Sequence, residues 1–160
     1  MIDRESHSLL RLVGSPREML AKADADLARF TEALALEQQR AALWALMDCS
    51  ITVFHTGDWI RSTHTHHRRS SSDLAASSKW LRMTRDIANA SKHGDLTWKP
   101  VDAETHGPVL TRMEYKVDRH APKSRHRVVA LTTDGASYDV VDVLREGIAE
   151  WRSFVETKGI

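Results

Sequence analysis

The stretch that most constrains the fold is Lys79–Asp95, KWLRMTRDIANASKHGD. At 100° per residue, Trp80, Met83, Ile87 and Ala90 share one arc of a helix, and Leu74, Leu81 and Ala88 widen it. Arg82, Arg85, Asn89 and His93 gather on a much narrower opposite arc, with Lys92 beside them. A helix that is apolar over most of its circumference has to be covered on more than one side. The chain therefore needs several helices around this one, and the narrow polar stripe is either a solvent edge or a site. Gly94 is the expected cap, and His93 stands where the helix dipole favours a cation.

Upstream, the residues around Leu9, Leu10, Leu12 and Val13 suit a short helix or arm ended by Gly14. Ser15-Pro16-Arg17-Glu18 is a helix start: serine caps, proline takes the first helical position, and glutamate can close a capping box. Leu20, Ala23, Leu27, Phe30 and Leu34 define the first helix, with a break expected between residues 35 and 38. The second helix is predicted from about Gln39 into the low sixties, on a stripe of Trp44, Met47, Ile51 and Phe54. The next position on that stripe is Asp58, a carboxylate where an apolar group is called for. His55 lies three residues before it and shares its neighbourhood on the helix surface. Gly57, which costs a helix about 1 kcal/mol, suggests close approach of another backbone or a ligand. Ser62–Ser72, STHTHHRRSSS, reads as a mobile polar loop, after which Ser72 or Asp73 caps the third helix. His64, His66 and His67 fit no tetrahedral zinc spacing, so no metal is expected.

After Gly94 the period changes from helical to two. Val109, Thr111, Met113, Tyr115 and Val117 alternate with polar neighbours, and Arg125–Thr132 reads as the partner strand of a hairpin with a basic tip. Leu96–Val101 suits a short edge strand limited by Pro100. Asp134-Gly135 turns the chain, and Ser137 or Asp139 opens a last helix on Val141, Leu144, Ile148, Trp151 and Val155. The expected fold is mainly α: a four-helix bundle in one domain, residues 1–160, with a β-hairpin at about 96–134 inserted between the third and fourth helices.

Composition narrows the function. Hydrophobic content of 41% with 28% charged residues suits a globular chain, with no apolar run long enough for a membrane and no basic-then-apolar leader. The single cysteine, Cys49, sits in an apolar helical pattern and reads as a core residue in a reducing, cytoplasmic setting. Net charge is only +1, yet residues 61–93 carry seven Lys and Arg against two Asp, and four of the nine histidines. A second basic cluster holds Arg119, Lys123, Arg125 and Arg127. Local positive fields of this kind attract phosphates. There is no Gly-rich phosphate loop, Ser-His-Asp signature, CxxC or HExxH, which argues against P-loop chemistry, standard hydrolases and zinc proteases. No cofactor is expected.

Asn89-Ala90-Ser91-Lys92-His93, late in the third helix of such a bundle, resembles the R-N-x-x-x-H motif of the HEPN superfamily (higher eukaryote and prokaryote nucleotide-binding domains). Asn89 and His93 match its second and last positions. Ala88 stands where the family carries arginine, and Arg85, one turn earlier, and Lys92 are the nearest cations. In HEPN ribonucleases the arginine and histidine act in metal-independent RNA cleavage. The resemblance therefore implies a catalytic set of His93, Asn89 and Arg85, with His93 able to move a proton near neutral pH. Lys92, Arg82, Asp58 and His55 are the implied ligand-binding residues. It also implies a homodimer with the third helix near the interface. Three functions follow as expectations. The first is a catalytically degenerate module binding RNA, a nucleotide or a protein partner, which Ala88 favours. The second is an endoribonuclease from a defence or toxin–antitoxin context, using His93. The third is a helical interaction protein whose Asp58–Asn89–His93 cluster is structural.

Overall fold

The computed structural model describes residues 14–93, 109–119 and 125–160, apart from the side chains of Lys92, His93 and Arg125. Helix α1 (Pro16–Ala35) begins as its sequence dictates: the Glu18 amide donates to the Ser15 hydroxyl at 3.3 Å, with proline in the first helical position. The Glu18 carboxylate reaches one residue further back than in a capping box and accepts the Gly14 amide. Leu20, Ala23, Phe30 and Leu34 are buried. The chain reverses over residues 36–38, where Glu37 takes the left-handed conformation and the Gln38 amide donates to the Ala33 carbonyl at 2.9 Å.

Helix α2 (Gln39–Thr63) has the expected length but turns a different face inward. Its core row is Ala42, Leu46, Cys49, Val53 and Ile60. The stripe of Trp44, Met47, Ile51 and Phe54 lies outside it: Trp44 is 61% exposed and the other three are half-buried. Both rows have helical spacing, so periodicity alone cannot rank them. Small Ala42, Ala45 and Cys49 let α1 pack closely on α2, and that packing selects the row.

The predicted polar loop is helical, a correction. Thr65–His67 forms one 3-10 turn and α3 runs over Arg68–Ser77. Its serines remain helical because Ser70 and Ser71 donate their hydroxyls to the carbonyls of His67 and Arg68, at 3.1 and 3.0 Å. Ser72 and Asp73 are accordingly inside α3 and cap nothing. The cap is Ser78, in extended conformation, whose hydroxyl accepts the Leu81 amide at 3.3 Å and starts α4 (Lys79–His93). Leu81, Met83, Ile87, Ala88 and Ala90 are buried, while Trp80 is half-buried edge-on against Tyr138. Helix α4 packs on α2, α3 and α5.

Strands β1 (Leu110–Asp118), β2 (Arg125–Thr132) and β3 (Ser137–Asp139) form an antiparallel sheet in the order β1-β2-β3, one strand more than the expected hairpin. A register shift between Leu110 and Arg112 explains the imperfect alternation. The bulge lets Leu110 face the core together with Met113 and Tyr115, which strict alternation forbids. Gly135, with φ of 87°, makes the turn into β3. Asp139 accepts the Val141 amide at 2.9 Å and caps α5 (Val140–Lys158), which buries Leu144, Ile148, Trp151 and Val155. Helix α1 packs on α2, α2 on α4, α4 on α5, and α5 back on α1; β2 rests on α1 and α5. The chain is thus mainly helical with a small three-stranded sheet. Among the described residues no helix is long and apolar enough to cross a membrane. The N-terminal arm, the Gly94 cap, the Leu96–Val101 strand and most of the basic hairpin tip lie outside the described residues.

Candidate functional site

The last turns of α2 explain Gly57. A Cβ there would lie 2.7 Å from Trp151 Cζ2 and 3.2 Å from Arg61 Nη1. The close approach read from the sequence is therefore made by an indole ring and an arginine of the same helix. Asp58 holds that arginine: Arg61 Nη2 donates to Oδ1 at 2.6 Å, and His55 Nδ1 lies 2.8 Å from Oδ2. The carboxylate that looked misplaced in an apolar stripe is 48% exposed and ion-paired within α2. It carries no burial penalty because its stripe is not the core row.

Helix α4 brings Arg85 to the same place. Its side chain is only 20% exposed, and Nε and Nη2 both donate to Asp86 Oδ1, at 3.1 and 2.9 Å. The other Asp86 oxygen accepts the amides of Val109 and Leu110 at 2.6 and 3.1 Å. One buried carboxylate thus fixes a guanidinium and the entry of β1 together. Arg61 and Arg85 then border a notch of about 40 Å3, walled by Phe54 and with Val53, Leu81 and Trp151 behind them. Trp151 is 2% exposed, and its Nε1 has no hydrogen-bond partner among the described residues. The notch sets Arg61 and Arg85 against an apolar lining that includes the Trp151 ring, and guanidinium donors suit an anion.

Of the residues singled out by sequence, Arg85 borders the notch, and His55 and Asp58 join Arg61 beside it. Arg82 and Asn89 are half-buried on α4 and do not line it. Lys92 and His93 occupy the last turn of α4, with side chains outside the described residues. Ala88, the position just before Asn89, is completely buried and faces the core. Sequence reasoning missed Arg61, Trp151 and Asp86 as site groups. Arg61 was legible at i+3 from Asp58. Trp151 sits in a plain apolar stripe and gave no signal.

Elsewhere, Asp26 is buried and pinned between α1 and α2. Lys22 Nζ donates to it at 2.6 Å, Arg29 Nη2 at 2.5 Å and Thr52 Oγ1 at 2.9 Å. Burial pushes its carboxyl pKa up, but those donors outweigh burial and leave it below the ordinary value. Burial drives the Cys49 thiol up to about 12, which leaves it inert as a nucleophile. The His66 and His67 rings lie 4.0 Å apart, and His67 meets Phe154 edge-on. Partial burial, then His66, Lys158 and His64, lower its pKa. Among the described residues no group of three His, Cys, Asp or Glu gathers as a metal site. No protein-family model, curated protein or solved structure matches the chain.

Proposed function

We propose that this chain is a HEPN-like module that binds RNA or a nucleotide through phosphate at the α2–α4 face, and that it is catalytically degenerate. The observation that carries the reading is the convergence of Arg61 and Arg85, from separate helices, on one notch. Two guanidiniums held by Asp58 and Asp86 are preorganised for an oxyanion, so little side-chain entropy is lost on binding. The closed ring of α1, α2, α4 and α5 supports the four-helix-bundle part of the resemblance. Two facts support degeneracy. The family's arginine position is a buried alanine. Arg85 also precedes His93 by eight residues. At 1.5 Å per residue that is on the order of 12 Å along the axis, a wider spacing than the family motif has.

The test is fluorescence anisotropy with a labelled single-stranded RNA at increasing salt. Affinity should fall as salt rises, and Arg85→Gln should weaken binding while flattening the salt slope by about one unit. The RNA should remain intact after prolonged incubation. Salt-independent or absent binding contradicts the reading, and cutting abolished by His93→Ala would restore the ribonuclease alternative.

A second, compatible reading concerns self-association, favoured by an apolar corner. Leu36, Leu43 and Trp44 are all more than half exposed, beside a groove of about 450 Å3 between α1 and α2. Its lining carries both signs, Arg29 against Glu32 and Asp48, and a two-fold contact requires such self-complementarity. The occupant proposed is a second copy of this chain. Sedimentation should give a dimer that Trp44→Glu converts to monomer; a wild-type monomer at high concentration would end this reading.

A further inference from the structure

We infer that the α2–α4 notch accepts a terminal phosphate monoester, so that the preferred ligand is a phosphate-ended RNA or a nucleotide and not an internal stretch of RNA. The inference rests on the phosphate-binding reading above and adds the chemistry of the end. Size comes first. A volume of about 40 Å3 is room for a few water-sized groups, since each needs about 10–15 Å3. A nucleobase does not fit. A phosphoryl group does: it presents three non-bridging oxygens on a single tether. An internal phosphodiester has two non-bridging oxygens and two continuing chains, so it needs more room than a singly tethered group.

The orphaned indole points the same way. Trp151 is almost wholly buried, borders the notch, and has an Nε1–H without a partner among the described residues. A buried donor left unpaired is costly, and native structures retain few of them. The benzo edge of the ring, Cζ2 and Cη2, is pressed against Gly57, which the Arg61 guanidinium also approaches. A ligand oxygen that reaches Nε1 pairs the buried donor, with Arg61 bordering the same notch. Charge does too. A monoester carries about −1.5 to −2 at pH 7, more than the single charge of a diester, and so draws the Arg61–Arg85 pair more strongly. Asp58 engages the Arg61 guanidinium through Nη2, and a guanidinium has five N–H donors, so being held in place is compatible with donating to a ligand oxygen.

The experiment compares one oligoribonucleotide sequence in three forms, with a 5′-phosphate, with a 3′-phosphate, and with hydroxyls at both ends, binding to the full chain. A phosphorylated form should bind about tenfold more tightly than the hydroxyl form, the effect of one additional charge-assisted hydrogen bond, and inorganic phosphate should erase the advantage. Arg61→Gln should bring phosphorylated and hydroxyl forms within about twofold of each other whatever the absolute affinity, because the bidentate donor is gone. Trp151→Phe, which deletes the N–H and keeps a ring, should also shrink the advantage in protein whose melting curve remains cooperative; should that variant not fold, Arg61→Gln decides alone. Equal affinity for all three forms overturns the end-specific inference and leaves general phosphate binding intact. An advantage undiminished in Arg61→Gln overturns the placement in this notch. Binding to none of the three forms overturns both the inference and the reading beneath it.

Discussion

Asp26 and Asp58 show how one residue type follows opposite rules in one fold. Asp58 interrupts an apolar stripe and looks anomalous in sequence, yet it is exposed. Asp26, three residues after Ala23 and four before Phe30, is the carboxylate that α1 turns inward. That spacing was legible; what sequence could not supply was Thr52, which completes its set of donors from α2. Because the folded pKa of Asp26 is depressed, its contribution is fully present above the unfolded value of about 3.9 and is lost as pH falls through the folded value. Asp26→Asn should cost about 1–3 kcal/mol at pH 7 and should flatten the acid limb of stability against pH, measured by urea melts. An unchanged acid limb would mean that Asp26 is not a principal acid-labile group. Gly57 is the second residue-scale test. Alanine there would press its Cβ into the Trp151 ring, so Gly57→Ala should destabilise by about 1–3 kcal/mol, despite alanine's better helix propensity. A stabilised variant would show that the indole can move.

At the scale of elements, boundaries with backbone chemistry were readable and those made by competing side-chain bonds were not. Ser15-Pro16 and Asp139 start helices in the places their sequences suggest. STHTHHRRSSS looked like a loop because serine and threonine compete with the backbone; here their hydroxyls bond carbonyls one turn back and the helix survives. Arg68 adds to this by donating from Nε and Nη2 to the Arg61 carbonyl, one of the acceptors in the last turn of α2. The hydroxyl that does cap, Ser78, is the second of the pair Ser77-Ser78, and only the chain break selects it. The third strand was hidden by its brevity. Asp86 is the coupling between elements. Removing its carboxylate leaves the Val109 and Leu110 amides without their acceptor. Asp86→Ala should cost about 2–4 kcal/mol and should speed hydrogen exchange at the start of β1 more than in α1. Uniform acceleration across both elements would mean that Asp86 supports the core generally and not the helix–sheet junction.

For the whole molecule, the helices α1, α2, α4 and α5 close on one another, and the polar groups of two of them meet at a single notch behind which α5 places Trp151. Half of that site was visible beforehand: Arg85, Asp58 and His55 could be named from helical arcs. The other half needed the packing of α5 on α2, a long-range contact that no local pattern encodes. The HEPN-like motif at Asn89–His93 ends α4, beyond the notch, so the phosphate reading no longer depends on the histidine that first suggested it. The most direct test is the indole N–H region of a proton–nitrogen spectrum, with the Trp151 resonance assigned by its loss in Trp151→Phe. On titration with phosphate-ended RNA this resonance should shift, saturating with the binding curve, and should not do so in Arg61→Gln. If other signals move and saturate while the Trp151 indole stays still, RNA binds elsewhere and the notch is not the phosphate site.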